Sequence, residues 1–328
     1  MANDELNLIA LAQHFSDDDK AREFVEKLRW PDGPVCPHCG EVNNAYKLEP
    51  KPAKENGKGK HVRKGVWKCA GCREQFTVTV GTIFEDSHIP LSKWLLAYHL
   101  LCASKKGMSA HQLHRMLKVT YRSAWFMAHR IRYTMSQEPL SSKLTGIIEV
   151  DETYVGGKLR IGTTKPHDNY HRKRIGPVAN KAAVVSVLQR GGRVQSRHVE
   201  HVTADNLRTM VDTMVDEDAH VMTDSSTVLK KAFLGERTHS QVNHRAKEYV
   251  RYEDGLCITT NTIEGYFATL KRGINGVYHH VGKQHLHRYL SEFDFRYNAR
   301  KVSDGDRTLL ALNGTGGKRL MLRDSKPN

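Results

Sequence analysis

Three carboxylates stand in apolar company. The stretch Gly146 to Lys158, GIIEVDETYVGGK, reads as a buried strand yet carries Glu149, Asp151 and Glu152. An unpaired buried carboxylate is costly, so a strand with nothing to gain excludes it. Asp224 closes a second short apolar run, AHVMTDSS, and Glu264 lies early in the helical stretch TNTIEGYFATLKRGING. Brought together, three such acids repel one another and stay ionised only around cations, which suits hard divalent metal, Mg²⁺ or Mn²⁺. Two such ions about 3.5–4 Å apart activate the attacking oxygen and stabilise the leaving one in phosphodiester displacement. The expected catalytic, metal-binding set is therefore Asp151, Asp224 and Glu264. Glu149 shares the Asp151 face of its strand and Glu152 takes the opposite face, and neither is assigned to the site. Lys271 follows Glu264 by seven residues, two helical turns, where its cation can hold a phosphate beside the metals. A solvated Glu–Lys face is the plainer alternative for that pair. Asn261, one turn before Glu264, either caps the helix or helps the site.

A second constellation is thiol-based. Cys36-Pro-His-Cys39 and Cys69-Ala-Gly-Cys72 are two Cys-x-x-Cys knuckles, and they bring four thiolates into one tetrahedron around a single structural Zn²⁺. Strand-like stretches flank both knuckles, and the basic segment KPAKENGKGKHVRKG lies between them, which describes a zinc ribbon with an enlarged hairpin. Cys102 and Cys257 stand alone among apolar residues and read as core thiols.

The elements that must position these groups follow in order. Residues 1–30 hold a short helical pattern, with Ser16 or Asp17 as N-cap and acids in the first turn. Residues 31–85 are the ribbon. Residues 86–142 read as three helices, the last two joined by a tight turn and capped by Ser109 and Thr120, which suggests a helix-turn-helix. Its second helix carries Arg122, His129, Arg130 and Arg132 as candidate DNA contacts. From residue 143 to 300 strands alternate with helices in the order of a ribonuclease-H-like α/β fold, a mixed sheet flanked by helices. Residues 301–328 read as a tail.

Charge points to the partner. The 328 residues carry 51 Lys+Arg against 36 Asp+Glu, a net +15, which favours a polyanion and most simply double-stranded DNA. The loop from Lys158 to Lys181 holds seven Lys/Arg and one acid, Asp168. A loop of one sign directly after the first strand should track a phosphate backbone, with Arg172, Lys173 and Arg174 as contacts and Arg272 as a further one. With 39% hydrophobic residues the chain is globular, and no apolar run approaches the ~18 residues of a membrane span. The N-terminal MANDELNLIALAQHF does not read as a signal peptide, so a cytoplasmic, nucleoid-associated protein is expected.

The motifs CPHCG, WKCAGCREQFTVTVGTIFEDSHIPLSKWLLAYHLL, IIEVDETYVGGK, VMTDSS, NTIEGYFATLKRGINGVYHH and HLHRYLSEFDFRYNAR carry a family resemblance. Across roughly residues 15–300 the chain resembles the DDE transposases of bacterial insertion sequences, in the ISXO-like group with an N-terminal zinc ribbon. The resemblance implies a ribonuclease-H-like catalytic domain whose acid triad corresponds to Asp151, Asp224 and Glu264. Some relatives use an asparagine as third member, which keeps Asn261 beside Glu264. It also implies cutting of the element's own ends and their joining to target DNA. Two ends must meet, so a homodimer or larger assembly on DNA is expected. A nuclease of this fold that cuts without joining, or a non-catalytic zinc-ribbon and helix-turn-helix binder, are the alternatives.

Overall fold

Two knuckles and one helix build the start of the chain. The computed structural model describes residues 8–15, 17–50, 64–136, 142–156, 181–233, 235, 237–322 and 324. It divides into two units, one of residues 1–135 with 302–328 and one of residues 136–301. In the first, α1 (Leu8–His14) precedes α2 (Asp18–Arg29), whose N-cap Asp17 accepts from the Asp19 N–H. The ribbon strands β1 (Ala45–Lys47), β2 (Trp67–Cys69) and β3 (Gln75–Phe76) form an antiparallel sheet. Helix α2 is fastened to it by Glu26, which accepts from Trp67 Nε1 (3.1 Å) and Lys47 Nζ (3.0 Å). Trp30 adds edge-on ring contacts to Trp67 and Phe76.

The helical part follows the expected caps. Helix α3 (Leu91–Ala103) is apolar on most sides and largely buried. Ser109 caps α4 (Ala110–Leu117) and Thr120 caps α5 (Tyr121–Thr134), each accepting from the N–H three residues on.

Strand alternation builds the sheet of the second unit. Strand β4 (Ile147–Val155) pairs antiparallel with β5 (Ala182–Gln189), which pairs antiparallel with β6 (Val194–Val199). Helix α6 (Ala204–Met214) leads to β7 (His220–Asp224), and α7 (Thr227–Phe233) leads to β8 (His239–Val242). Strand β4 runs parallel to β7 and β7 to β8, giving the order β6-β5-β4-β7-β8. That order and those directions are the ribonuclease-H-like arrangement expected from the sequence. Strands β9 (Val250–Glu253) and β10 (Leu256–Thr259) form a hairpin that was not foreseen. Its signal is local: Asp254 and Gly255 both take positive φ, the two-residue turn that Asp-Gly favours.

The sheet buries both faces. Val150, Val185 and Val187 face α6 and α7. Val184, Leu188 and Val194 face α8 (Asn261–Gly273) and α9 (Leu286–Asn298). A buried carboxylate locks the second layer: Asp294 of α9 accepts from the Ser196 N–H (2.7 Å), Ser196 Oγ (2.8 Å) and Tyr266 OH (2.5 Å).

The stretch after residue 301 is not a loose tail. Ser303 caps α10 (Asp304–Asn313), which buries Ala311 and Leu312 and belongs to the first unit. Arg307 donates to the Cys102 carbonyl (3.0 Å), and Lys318 to those of Tyr133 (3.2 Å) and Thr134 (3.3 Å). The clue was Ser303 followed three residues later by Asp306, a helix-start pattern.

Candidate active site and zinc site

Register brings the acids to one face. Glu149 pairs with Met222 across the parallel β4–β7 ladder, so two residues further Asp151 and Asp224 stand side by side on the α8 face. Glu264, in the first turn of α8, completes the approach. The Asp151 carboxyl is pushed up to about 8, first by burial, then by the charges of Glu152, Asp224 and Glu264, against the help of the Glu152 N–H. Asp224 Oδ1 accepts from the Ser226 N–H (2.9 Å), and Asp151 Oδ1 from the Glu152 N–H (2.8 Å).

Glu152 departs from its expected isolation. It lies on the other face of β4, yet burial and the Asp224 charge raise its pKa, and its Oε2 is buried with no hydrogen-bond partner. A buried carboxylate oxygen without a hydrogen-bond donor, within reach of the Asp151 and Asp224 charges, belongs to a group of hard oxygens short of positive charge. Those groups fit Mg²⁺ or Mn²⁺. The carboxylates are spread more widely than a closed cage. Among the described residues, only the thiols of the first unit have ligand atoms all within 4.8 Å of one another.

Other neighbours were invisible in the sequence. His244 Nε2 is 3.5 Å from Glu264 Oε1 and 3.4 Å from Thr260 Oγ1, with the Tyr249 ring alongside. Nothing in its surroundings, HSQVNHRAK, marks that histidine. Asn261 is exposed at the helix start, where its N–H donates to Thr259 Oγ1 (3.2 Å). Lys271 and Arg272 are exposed in the last turn of α8, about 10 Å along the axis from Glu264.

The thiols form the tighter cluster. Cys36 Sγ lies 3.7 Å from Cys72 Sγ, and Cys39 Sγ 3.7 Å from Cys69 Sγ. A tetrahedron with Zn–S bonds of about 2.3 Å has sulfur–sulfur edges of roughly 3.8 Å, so the four fit zinc. Burial opposes ionisation of Cys36, but the N–H groups of Cys39 and His38 outweigh it and bring that thiol down to about 7. Cys72 benefits from the Glu74 N–H, yet burial and the three other cysteines push it up to about 12. Four thiolates need a cation between them.

The proposed DNA contacts divide. Arg122 is exposed at the start of α5, near exposed Arg115 and Lys118. His129, Arg130 and Arg132 are buried and do not face solvent. Arg130 donates to the carbonyls of Ile83 (2.6 Å), Glu85 (3.0 Å) and Leu320 (3.0 Å) and lies over the Phe126 ring. Arg130 is covered by the turn at Ile83 and Glu85 and by Leu320 of the returning C-terminal segment. Arg172, Lys173 and Arg174 lie outside the described residues.

Known proteins share these parts. Residues 143–298 match the ISXO2-like transposase domain, and residues 16–75 match the transposase zinc-ribbon domain. The chain is also similar to an uncharacterized protein in transposable element ISH50 of Halobacterium salinarum. The two are 24% identical over 300 residues, covering 86% of this chain and 91% of the relative. No solved structure matches. Among the described residues no helix is long and apolar enough to cross a membrane.

Proposed function

We propose, from the match of residues 143–298 to the ISXO2-like transposase domain and of residues 16–75 to the transposase zinc-ribbon domain, that the chain is a transposase that cuts the ends of its element and joins them to target DNA. The observation that supports this reading is the register of β4 and β7, which sets Asp151 and Asp224 on one face of the sheet, with Glu264 in the first turn of α8. In this reading the three carboxylates hold two Mg²⁺ or Mn²⁺ ions, which would favour charge on the attacking and leaving oxygens of a phosphodiester. The first reaction is hydrolysis at the element end. The freed 3′-hydroxyl then attacks a phosphodiester of the target, so one bond forms as another breaks.

The residues have separate tasks. Asp151 sits in a rigid central strand and must give up its proton when the ions enter. Asp224 and Glu264 orient the cluster from two sides. Lys271 and Arg272, exposed further along α8, hold DNA phosphates, as does Arg122 at the start of α5. The ribbon is held together by one structural zinc. Two copies of the chain, one per element end, act in the DNA complex.

The test is Mg²⁺-dependent cleavage and joining of a labelled element-end duplex. Asp151→Asn should lose both activities and keep end binding. Cleavage at the normal rate by Asp151→Asn would remove the site, and cleavage without joining by the unaltered protein would make it a nuclease.

A further inference from the structure

We propose that Glu149 and Arg190 are positioning residues that set the three acids of the site relative to one another. The inference rests on the reading above, in which those acids hold divalent ions.

Glu149 answers a problem at the start of α8. The first N–H groups of a helix have no partner within it. Thr260, at the N-cap position, makes no side-chain bond to them. Glu149 reaches across from β4 instead, and its Oε2 accepts from the Ile263 N–H at 2.9 Å. A carboxylate is favoured there by the helix dipole. Ile263 directly precedes Glu264, and Glu149 lies two residues before Asp151 on the same strand face. One hydrogen bond therefore ties the residue beside one acid to the strand carrying another.

Arg190, just beyond β5, fixes the remaining oxygen. Its Nε donates to Glu149 Oε1 at 3.0 Å, and its Nη2 lies 2.9 Å from the same oxygen. Nη1 donates to the Cys257 carbonyl (2.8 Å) and Nη2 to that of Thr259 (3.1 Å), both in β10, the strand that runs into α8. Nη2 also lies 3.2 Å from Met222 Sδ. Met222 stands two residues before Asp224, as Glu149 does before Asp151. One guanidinium thus touches β4 at Glu149, β7 at Met222, and β10, the strand that leads into α8. Glu149 is fully buried while the Arg190 side chain is 24% exposed.

A buried ion pair is weak evidence for stability, because desolvation offsets its attraction. Its planar, multi-point geometry is instead suited to fixing register. Groups that hydrogen-bond to metal ligands alter metal affinity by roughly 10–100-fold when removed; Glu149 and Arg190 act one step further out, on the backbone that carries the acids, so the low end of that range applies.

The experiment uses the full chain. Mn²⁺ binding is followed by electron paramagnetic resonance, and the Mg²⁺ concentration for half-maximal cleavage is measured on the element-end duplex. Arg190→Met and Glu149→Gln should each weaken Mn²⁺ binding and raise the Mg²⁺ half-saturation by about 10-fold. Arg190→Lys keeps the charge without the fork and should fall between. Leu229→Ala, in the core on the opposite face of the sheet, should lower the thermal midpoint without moving either metal constant. Unchanged metal constants in Arg190→Met overturn the proposal, as does an equal shift in Leu229→Ala. If Glu149→Gln does not fold, Arg190→Lys and Arg190→Met decide alone. Asp151→Asn separates the two readings. Should it cleave normally, the site itself is wrong; should it be inactive while Arg190→Met binds Mn²⁺ as the parent does, only the positioning roles fail.

Discussion

The thiol cluster and the carboxylate cluster are built on opposite plans. Each pair of thiols comes from one short knuckle, so two local turns almost complete the cage once β1, β2 and β3 pair. The acids come from a strand, a second strand and a helix, and they meet only when the whole sheet has its register. A closed set of four soft ligands suits a metal that stays. An open set of hard ligands, one with its carboxyl held at about 8, suits ions that exchange and leave positions for substrate oxygens. A structural site can be specified locally, whereas a reactive one is specified by the fold.

The largest effect expected from breaking this contrast is at the acids. Asp151→Asn should lower cleavage by at least ~10³-fold, and adding Asp224→Asn should cost little more, because the residues work as a unit. Zinc content, measured by elemental analysis, should stay at one per chain. Loss of zinc from Asp151→Asn would show the two sites to be coupled.

Next in size is the converse change. Cys72→Ser, or removal of zinc by a strong chelator, should unfold the ribbon and weaken binding to element-end DNA by roughly 10-fold or more, since metal affinity is folding free energy in such modules. Mn²⁺ binding at the acids should persist. Band-shift titration and paramagnetic resonance on the same sample check both halves.

A pH series sharpens the comparison further. The Asp151 carboxyl is raised from 3.8 to about 8 in the folded, metal-free chain. Between those values the folded state holds a proton that the unfolded state has lost. The stabilisation is therefore full below about pH 4 and is lost as pH rises through about 8. Urea melts without metal should show this decline, and Asp151→Asn should flatten it. Mn²⁺ must displace the same proton, so its affinity should rise with pH up to about 8.

The smallest effect concerns the arginines of α5. Arg122→Ala should weaken DNA binding and reduce the salt slope by about 1. Arg130→Met should leave that slope alone and destabilise the first unit by on the order of 1–3 kcal/mol, because it strands buried carbonyls. A changed slope in Arg130→Met would reopen the buried face as a DNA contact.

What could be read from the sequence follows the same division. The knuckles were legible from spacing alone, and Asp151 and Asp224 stood out because acids are conspicuous in apolar strands. Apolar runs marked the strands up to β7, while the fold they build was legible from the acids and the family resemblance, and the β9–β10 hairpin was not. Glu149 looked like a bystander because its partners, Arg190 and the Ile263 N–H, are distant in sequence. Glu152 was placed on the correct face, but that face near the end of β7 is not remote from Asp224. His129, Arg130 and Arg132 are buried, and for Arg130 nothing within α5 announces that Ile83, Glu85 and the returning Leu320 close around it. Long-range contacts of this kind leave no periodic trace in the segment they bury.

That return has a consequence for how the protein is made. The second unit, residues 136–301, is an insertion between two parts of the first. Emerging from the ribosome, α3 and α5 wait for α10 and the Leu320 carbonyl, which are translated after every residue of the five-stranded sheet. Domains otherwise tend to fold in order of synthesis. Here the module begun before the sheet is finished after it, so a chain lacking residues 302–328 would carry the acids of β4, β7 and α8 with an unfinished α5 module. Premature termination would thus tend to silence the element rather than release an active fragment.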